Sequence, residues 1–239
     1  MMERNQRAEP MTQKAACIKT LELSDSELEK INRYALKELC ADEVFIFKVL
    51  ACSNEVDRDM ESFTIDAISQ MAELYRGKTM IFDHQNTAEN QIARIYDTEV
   101  LTDETQKTTL GEPYTVLMLH VFLPRLEKNK ELIAEIEAGI KKEVSVSCAY
   151  GKRTCSICGS NKCEHRVGES YEGKICVRRL WDVKDAYEVS FVAVPSQRDA
   201  GTHKNSKDPA KTSGEESFEK SEKKLTLLEG FLKFYKNGG

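Results

Sequence analysis

The chain has 239 residues, 40% hydrophobic and 31% charged, which suits one packed domain with polar tails or two small domains. Its 35 Lys and Arg against 40 Asp and Glu leave a net charge of −5, which excludes a protein whose bulk coats nucleic acid but permits a local basic patch. No stretch approaches the roughly 20 apolar residues of a membrane span, and the opening MMERNQRAEPMTQKAA lacks the apolar segment of a secretory signal, so a cytosolic setting with reduced thiols is expected.

Residues 1–20 are polar and irregular and read as an arm. LSDSELEKINRYALKEL follows, with Ser24 or Ser26 as cap and a helical stripe of Leu28, Ile31, Leu36 and Leu39. Val44–Cys52 is apolar, rich in β-formers and too short for an ordinary helix, so it reads as a buried strand. Thr64 caps a helix through IDAISQMAELY that ends at Gly77. Strands are predicted at Thr79–Phe82, Gln91–Val100 and Tyr114–Leu123, then a helix over KNKELIAEIEAGI. Lys142–Tyr150 alternates, with Val144, Val146 and Cys148 on one face and Ser145 and Ser147 on the other. A last strand, Tyr187–Val194, stops at Pro195. A polar linker follows, and the end of the chain carries an amphipathic stripe of Leu225, Leu228, Leu232 and Tyr235. His120, inside an apolar strand, and Trp181, the one tryptophan, read as packing residues.

The eight cysteines are unevenly spread, and CSICGSNKCEH gives C-x2-C-x4-C-x-H. Two thiolates three apart, followed by Gly159, form a knuckle that suits a tetrahedral metal, with Cys163 and His165 completing the set begun by Cys155 and Cys158. Cys176 is a spare should His165 fall short. Sulfur-rich ligation makes zinc the natural ion, in a closed structural site rather than a catalytic one. The plain alternative is a loop with free thiols or a disulfide. Lys152, Arg153, Lys162, Arg166, Arg178 and Arg179 flank the cluster, so a nucleic-acid surface is a second reading of this insert.

A hydrolytic nucleophile needs a hydroxyl, a base and a group that fixes the base. Ser145 or Ser147 could supply the first, His84 past a strand end the second, and Glu188 among apolar neighbours the third. Composition does not join them. Three segments do, by resemblance. GKTMIFDHQNTAENQIARI, EVSVSCAYG and AYEVSFVAVPSQRDAG resemble the histidine segment, serine strand and last-strand signature of the tailed-phage prohead (capsid maturation) proteases, relatives of the herpesvirus assemblins. NEVDRDMESFTIDAISQMAELYRGK is similar to their loop-helix lead-in, so the likeness covers roughly residues 43–201.

The resemblance implies a Ser-His-Glu triad of Ser145, His84 and Glu188, with Ser147 as the alternative nucleophile and Arg198 as an oxyanion helper. It implies a serine endopeptidase that cleaves capsid or scaffold protein, and itself, inside the prohead in the bacterial host cytoplasm. It also implies a mostly β, α+β fold: a small antiparallel β-barrel surrounded by helices, here with a zinc-knuckle insert. The expected organisation is an arm (1–20), a protease domain (21–198, insert 152–177), a linker (199–217) and an amphipathic helix (218–239). Self-association is left open and no membrane partner is expected. The rival expectation is a catalytically inactive, zinc-stabilised module for capsid assembly or nucleic-acid binding.

Overall fold

The computed structural model describes residues 23–203. The predicted arm and C-terminal helix lie outside the described residues, as does all but the first part of the linker. Ser24 opens helix α1 (Asp25–Asn32) with a capping box: its hydroxyl accepts from the Glu27 N–H, and the Glu27 carboxylate accepts from the Ser24 N–H. The helix stops well before Leu39, the end the stripe suggests. Asn32 turns its amide back on the chain, donating to the Leu39 carbonyl at 3.1 Å and accepting from its N–H at 2.9 Å. That local alternative to helical bonding leaves Leu36 fully exposed.

The remaining elements are β1 (Val44–Ser53), β2 (Glu61–Phe63), α2 (Ile65–Tyr75), β3 (Thr79–Phe82), β4 (Ala93–Lys107) and β5 (Pro113–Pro124). They are followed by α3 (Lys130–Glu137), β6 (Val144–Cys155), β7 (Ser170–Tyr171), β8 (Lys174–Ile175), β9 (Arg178–Phe191) and β10 (Gly201–His203). Eight strands make one sheet in the order β10-β1-β5-β4-β3-β9-β2, with β6 also paired to β9. β7 and β8 form a separate two-stranded ribbon.

This corrects the expected small antiparallel β-barrel. The fold is mixed α/β, built on a large open sheet. β9 pairs in parallel with both β3 and β2, because the chain reaches it from each of them by crossover rather than by hairpin. The strand order runs as a path from β10 to β2 with β6 as a branch, not as a ring of ladders. One isolated bridge, Glu143 to Gly201, draws the start of β6 toward β10, with the Thr202 N–H donating to the Lys142 carbonyl at 2.7 Å and the Val144 N–H to the Ala200 carbonyl at 3.4 Å.

The core forms where α2 lies on β4, β5 and β9. Its buried stripe of Ala67, Ile68, Met71, Ala72 and Tyr75 meets Leu117, Leu119 and Val121 of β5 and Val189 of β9. Thr64 caps α2 through the Ala67 N–H, as its position before the helix suggests. β5 is strongly apolar and is paired on both sides along its length, with β1 and with β4. His120 sits in it half-buried, edge-on to Tyr96 with ring centroids 5.9 Å apart.

Leu119 is fully buried at this junction. Its truncation to alanine should cost about 2–5 kcal/mol, read from urea unfolding.

Candidate metal centre

β6 and β9 form a long antiparallel ladder, from Val144 opposite Phe191 to Cys155 opposite Arg178. The chain between them is the cysteine-rich insert. At its near end Cys155 is buried, its N–H donates to the Ser160 carbonyl at 2.8 Å, and its carbonyl accepts from the Gly159 N–H at 2.9 Å. Gly159 has φ +72°, a left-handed turn that glycine takes without penalty. That turn folds Cys158 back beside Cys155. The Ile157 N–H points at the Cys155 sulfur at 3.4 Å.

The ligand atoms of Cys155, Cys158, Cys163 and His165 all lie within 4.8 Å of one another. The set predicted from spacing is therefore assembled: a Cys3His cluster suited to a structural metal. Two features support the fit. His165 leaves Nδ1 buried without a hydrogen-bond partner, as a ligand nitrogen awaiting an ion would be, while its ring stands edge-on to Tyr171 at 4.5 Å. Against the penalty of burial, the N–H groups of Cys158 and Ile157 and the neighbouring Cys176 and Cys163 thiols bring the Cys155 thiol down to about 6, toward the thiolate a metal needs. The Cys176 sulfur lies 3.6 Å from that of Cys155, and burial, followed by the hydrogen bond with Cys155 and the Cys155 charge, pushes its thiol up to about 11. With four protein ligands no position is left for a reacting group, so the chemistry of the set is structural.

The residues of the expected triad fall elsewhere. β3 ends at Phe82, and Asp83 and His84 both take positive φ, +50° and +54°. The His84 N–H donates to the Ser190 hydroxyl at 2.9 Å, and its Nδ1 lies 2.7 Å from the Glu188 carboxylate. Glu188 is 1% exposed, and the Ser190 hydroxyl donates to its second oxygen at 2.6 Å. The structure thus brings His84 and Glu188 together, and adds Ser190.

Among the described residues no hydrogen bond joins Ser145 to the imidazole. The register sets Ser145 opposite Ser190 and Ser147 opposite Glu188, but among the described residues neither hydroxyl hydrogen-bonds His84. Arg198 is exposed and makes no ion pair among the described residues. The serine endopeptidase expectation for Ser145, His84 and Glu188 is therefore corrected. The sheet is open, no nucleophile-base hydrogen bond is made among the described residues, and the assembled chemical cluster is the Cys3His set instead. The terms that follow from a protease (hydrolase, capsid maturation by cleavage) go with it. Ser190 escaped the sequence reading, although the spacing of Glu188 and Ser190 on one strand already puts both on one face.

No protein-family model matches the chain, and neither does a curated protein or a solved structure. The prohead resemblance stands on its motifs alone. Among the described residues no helix is long and apolar enough to cross a membrane.

Ser190 accepts from His84 and donates to a buried carboxylate, so Ser190→Ala should lose about 1–3 kcal/mol in chemical denaturation. Ser145→Ala, which removes no hydrogen bond seen here, should stay within about 0.5 kcal/mol of the parent.

Proposed function

We propose that the chain is a non-catalytic, zinc-stabilised assembly module that docks a capsid or scaffold protein. The Cys3His cluster carries this reading: its donor set holds an ion and closes it off, which serves to fix a surface rather than to activate a substrate. Zinc is the ion of choice for three thiolates and an imidazole in tetrahedral array. The three motif segments supply the capsid-assembly context.

A protein partner is favoured over nucleic acid by how the basic residues around the insert are spent. Arg179 makes a two-pronged pair with Glu112 at 2.8 Å for both contacts. Arg153 reaches Glu61 at 3.4 Å and Arg166 reaches Glu169 at 3.7 Å. Lys152 lies over the Trp181 ring, 5.6 Å from its centroid. Of the six flanking cations only Lys162 and Arg178 have neither an ion pair nor a ring partner among the described residues, so a phosphate backbone would meet two uncommitted charges here.

Protein purified without chelator should carry one zinc ion per chain by elemental analysis. Cys163→Ser should remove most of it and lower the unfolding temperature, while Cys40→Ser, an exposed thiol outside the cluster, should change neither. Co-expression with capsid and scaffold proteins of the same genome should yield a complex in which both chains keep their intact mass. Cleavage of the partner would refute the non-catalytic reading, and co-purifying nucleic acid without protein would favour the second one.

A further inference from the structure

The cysteine insert holds one thiol more than its ion needs. Cys155, Cys158, Cys163 and His165 fill the four positions of a tetrahedral site, and Cys176 stands outside that set. Its sulfur nevertheless touches that of Cys155, 3.6 Å away. Both residues are buried, Cys155 at 1% and Cys176 at 0% exposure.

The backbone holds the pair together without help from any metal. Cys155 ends β6 opposite Arg178, the first residue of β9. One step into the insert, the Ser156 N–H donates to the Val177 carbonyl at 3.0 Å, and the Val177 N–H donates to the Ser156 hydroxyl at 3.0 Å. That hydroxyl donates in turn to the Ile175 carbonyl at 3.2 Å. From the far side the Cys176 N–H donates to the Glu169 carbonyl, and the Cys176 carbonyl accepts from the Gly168 N–H, both at 2.8 Å. The two sulfurs therefore meet across the root of the insert, one a metal ligand and the other not. The cluster is also open to small solutes, because Cys158 is exposed and its ligand atom lies within 4.8 Å of the Cys155 sulfur.

We infer that Cys155 and Cys176 are a redox modification site, closed to a disulfide by hydrogen peroxide at the expense of metal binding. The Cys155 thiolate attacks one peroxide oxygen, the O–O bond breaks, hydroxide leaves, and a sulfenic acid forms on Cys155. The Cys176 sulfur then attacks the Cys155 sulfur. The S–S bond forms, the sulfur–oxygen bond breaks, and the departing hydroxyl takes the Cys176 proton and leaves as water. The two sulfurs give up two electrons, and the peroxide ends as one hydroxide and one water. Cys155 is thereby lost as a ligand, which leaves Cys158, Cys163 and His165, one donor short of a closed site. The new bond joins residues 21 apart and ties the root of the insert covalently, while the turn through Cys158 and Cys163 loses its anchor. The metal-release half of this inference rests on the zinc reading above; the bond itself rests on the sulfur contact alone.

The test treats the full zinc-loaded chain with about one equivalent of hydrogen peroxide. Zinc release is followed with a chromogenic chelator, and the disulfides are mapped by mass after the remaining thiols are blocked. Trypsin cuts the insert after Arg153, Lys162, Arg166, Lys174 and Arg178, so the expected bond joins peptide 154–162 to peptide 175–178, with fragmentation assigning Cys155 rather than Cys158. That link should exceed every other disulfide by at least about fivefold. Zinc should leave as it forms, and a reductant with added zinc should restore both the thiols and the bound ion. Cys176→Ser and Cys176→Ala should carry as much zinc as the parent before oxidation and form no such link. A dominant bond from Cys155 to Cys158 or Cys163 would overturn the assignment. So would a Cys176 variant that is folded by its proton spectrum yet binds no zinc, since Cys176 would then be a ligand, or a link that forms with the zinc retained. A parent that holds no zinc as purified refutes the metal reading and the release with it, while the mapped bond still decides the pair.

Discussion

The β6–β9 ladder is the interaction on which the rest depends. One end of β9 pairs with β3 and carries Glu188 and Ser190 to the His84 turn. The other end pairs with β2 and sets the exit of the cysteine insert against Cys155. The ladder survives a change of face only through bulges. Ser147 opposes Glu188, yet Cys148 opposes Ala186, so Tyr187 is the extra residue and is turned to solvent. Without that slip Cys148 would face Tyr187, and the apolar face of β6 would lose its match on β9. The Tyr75 hydroxyl holds the place by donating to the Ser147 carbonyl at 2.9 Å.

Much of this was legible because local patterns and tertiary demands agree. The apolar runs at 44–52 and 114–123 become the paired central strands, and the α2 stripe is buried as its periodicity requires. The knuckle ligands could be read from spacing because a tight turn leaves the chain little choice of geometry. What could not be read is non-local. β9 begins at Arg178, not near Tyr187, since its first half is polar on one side and gains its strand character from pairing with β6 and β2. β2 and β10 are three residues each, too short to leave a pattern. The parallel pairings that open the sheet leave no mark in any single segment.

The His84–Glu188–Ser190 group has a structural logic of its own. A carboxylate with 1% exposure needs partners on both oxygens, and it has them, one from an imidazole and one from a hydroxyl. The same hydroxyl accepts the His84 N–H and so secures two consecutive residues with positive φ. Asn90 completes the clamp, its amide donating to the carbonyls of Phe82 and Gln85 at 2.8 Å each. Left-handed backbone at non-glycine residues costs about 1–2 kcal/mol apiece, so a turn with two of them persists only when its neighbours fix it. Ser190, hidden in a strand between apolar residues, is what joins the buried charge to the strained turn.

The insert shows why a metal belongs where it does. Between Ser156 and Val177 only Cys176 and Val177 are buried, so there is no core to hold the loop. Its ribbon of β7 and β8 has two residues per strand, far below what an isolated hairpin needs to persist in water. A few hydrogen bonds, such as Ser156 N–H to the Val177 carbonyl at 3.0 Å, tie only its base. Ordering some twenty residues costs about 1–2 kcal/mol each in backbone entropy, which those bonds do not offset. A tetrahedral ion does, since its binding free energy is spent on the loop that presents the ligands. The ligands also sit early in the insert, within eleven residues of Cys155, so the ion fixes the near half and leaves the β7–β8 ribbon to be steadied by the Gly168 and Cys176 backbone bonds to one another and to Glu169. An insert organised in that order is fixed at its root by four side-chain ligands, while its tip rests on backbone hydrogen bonds.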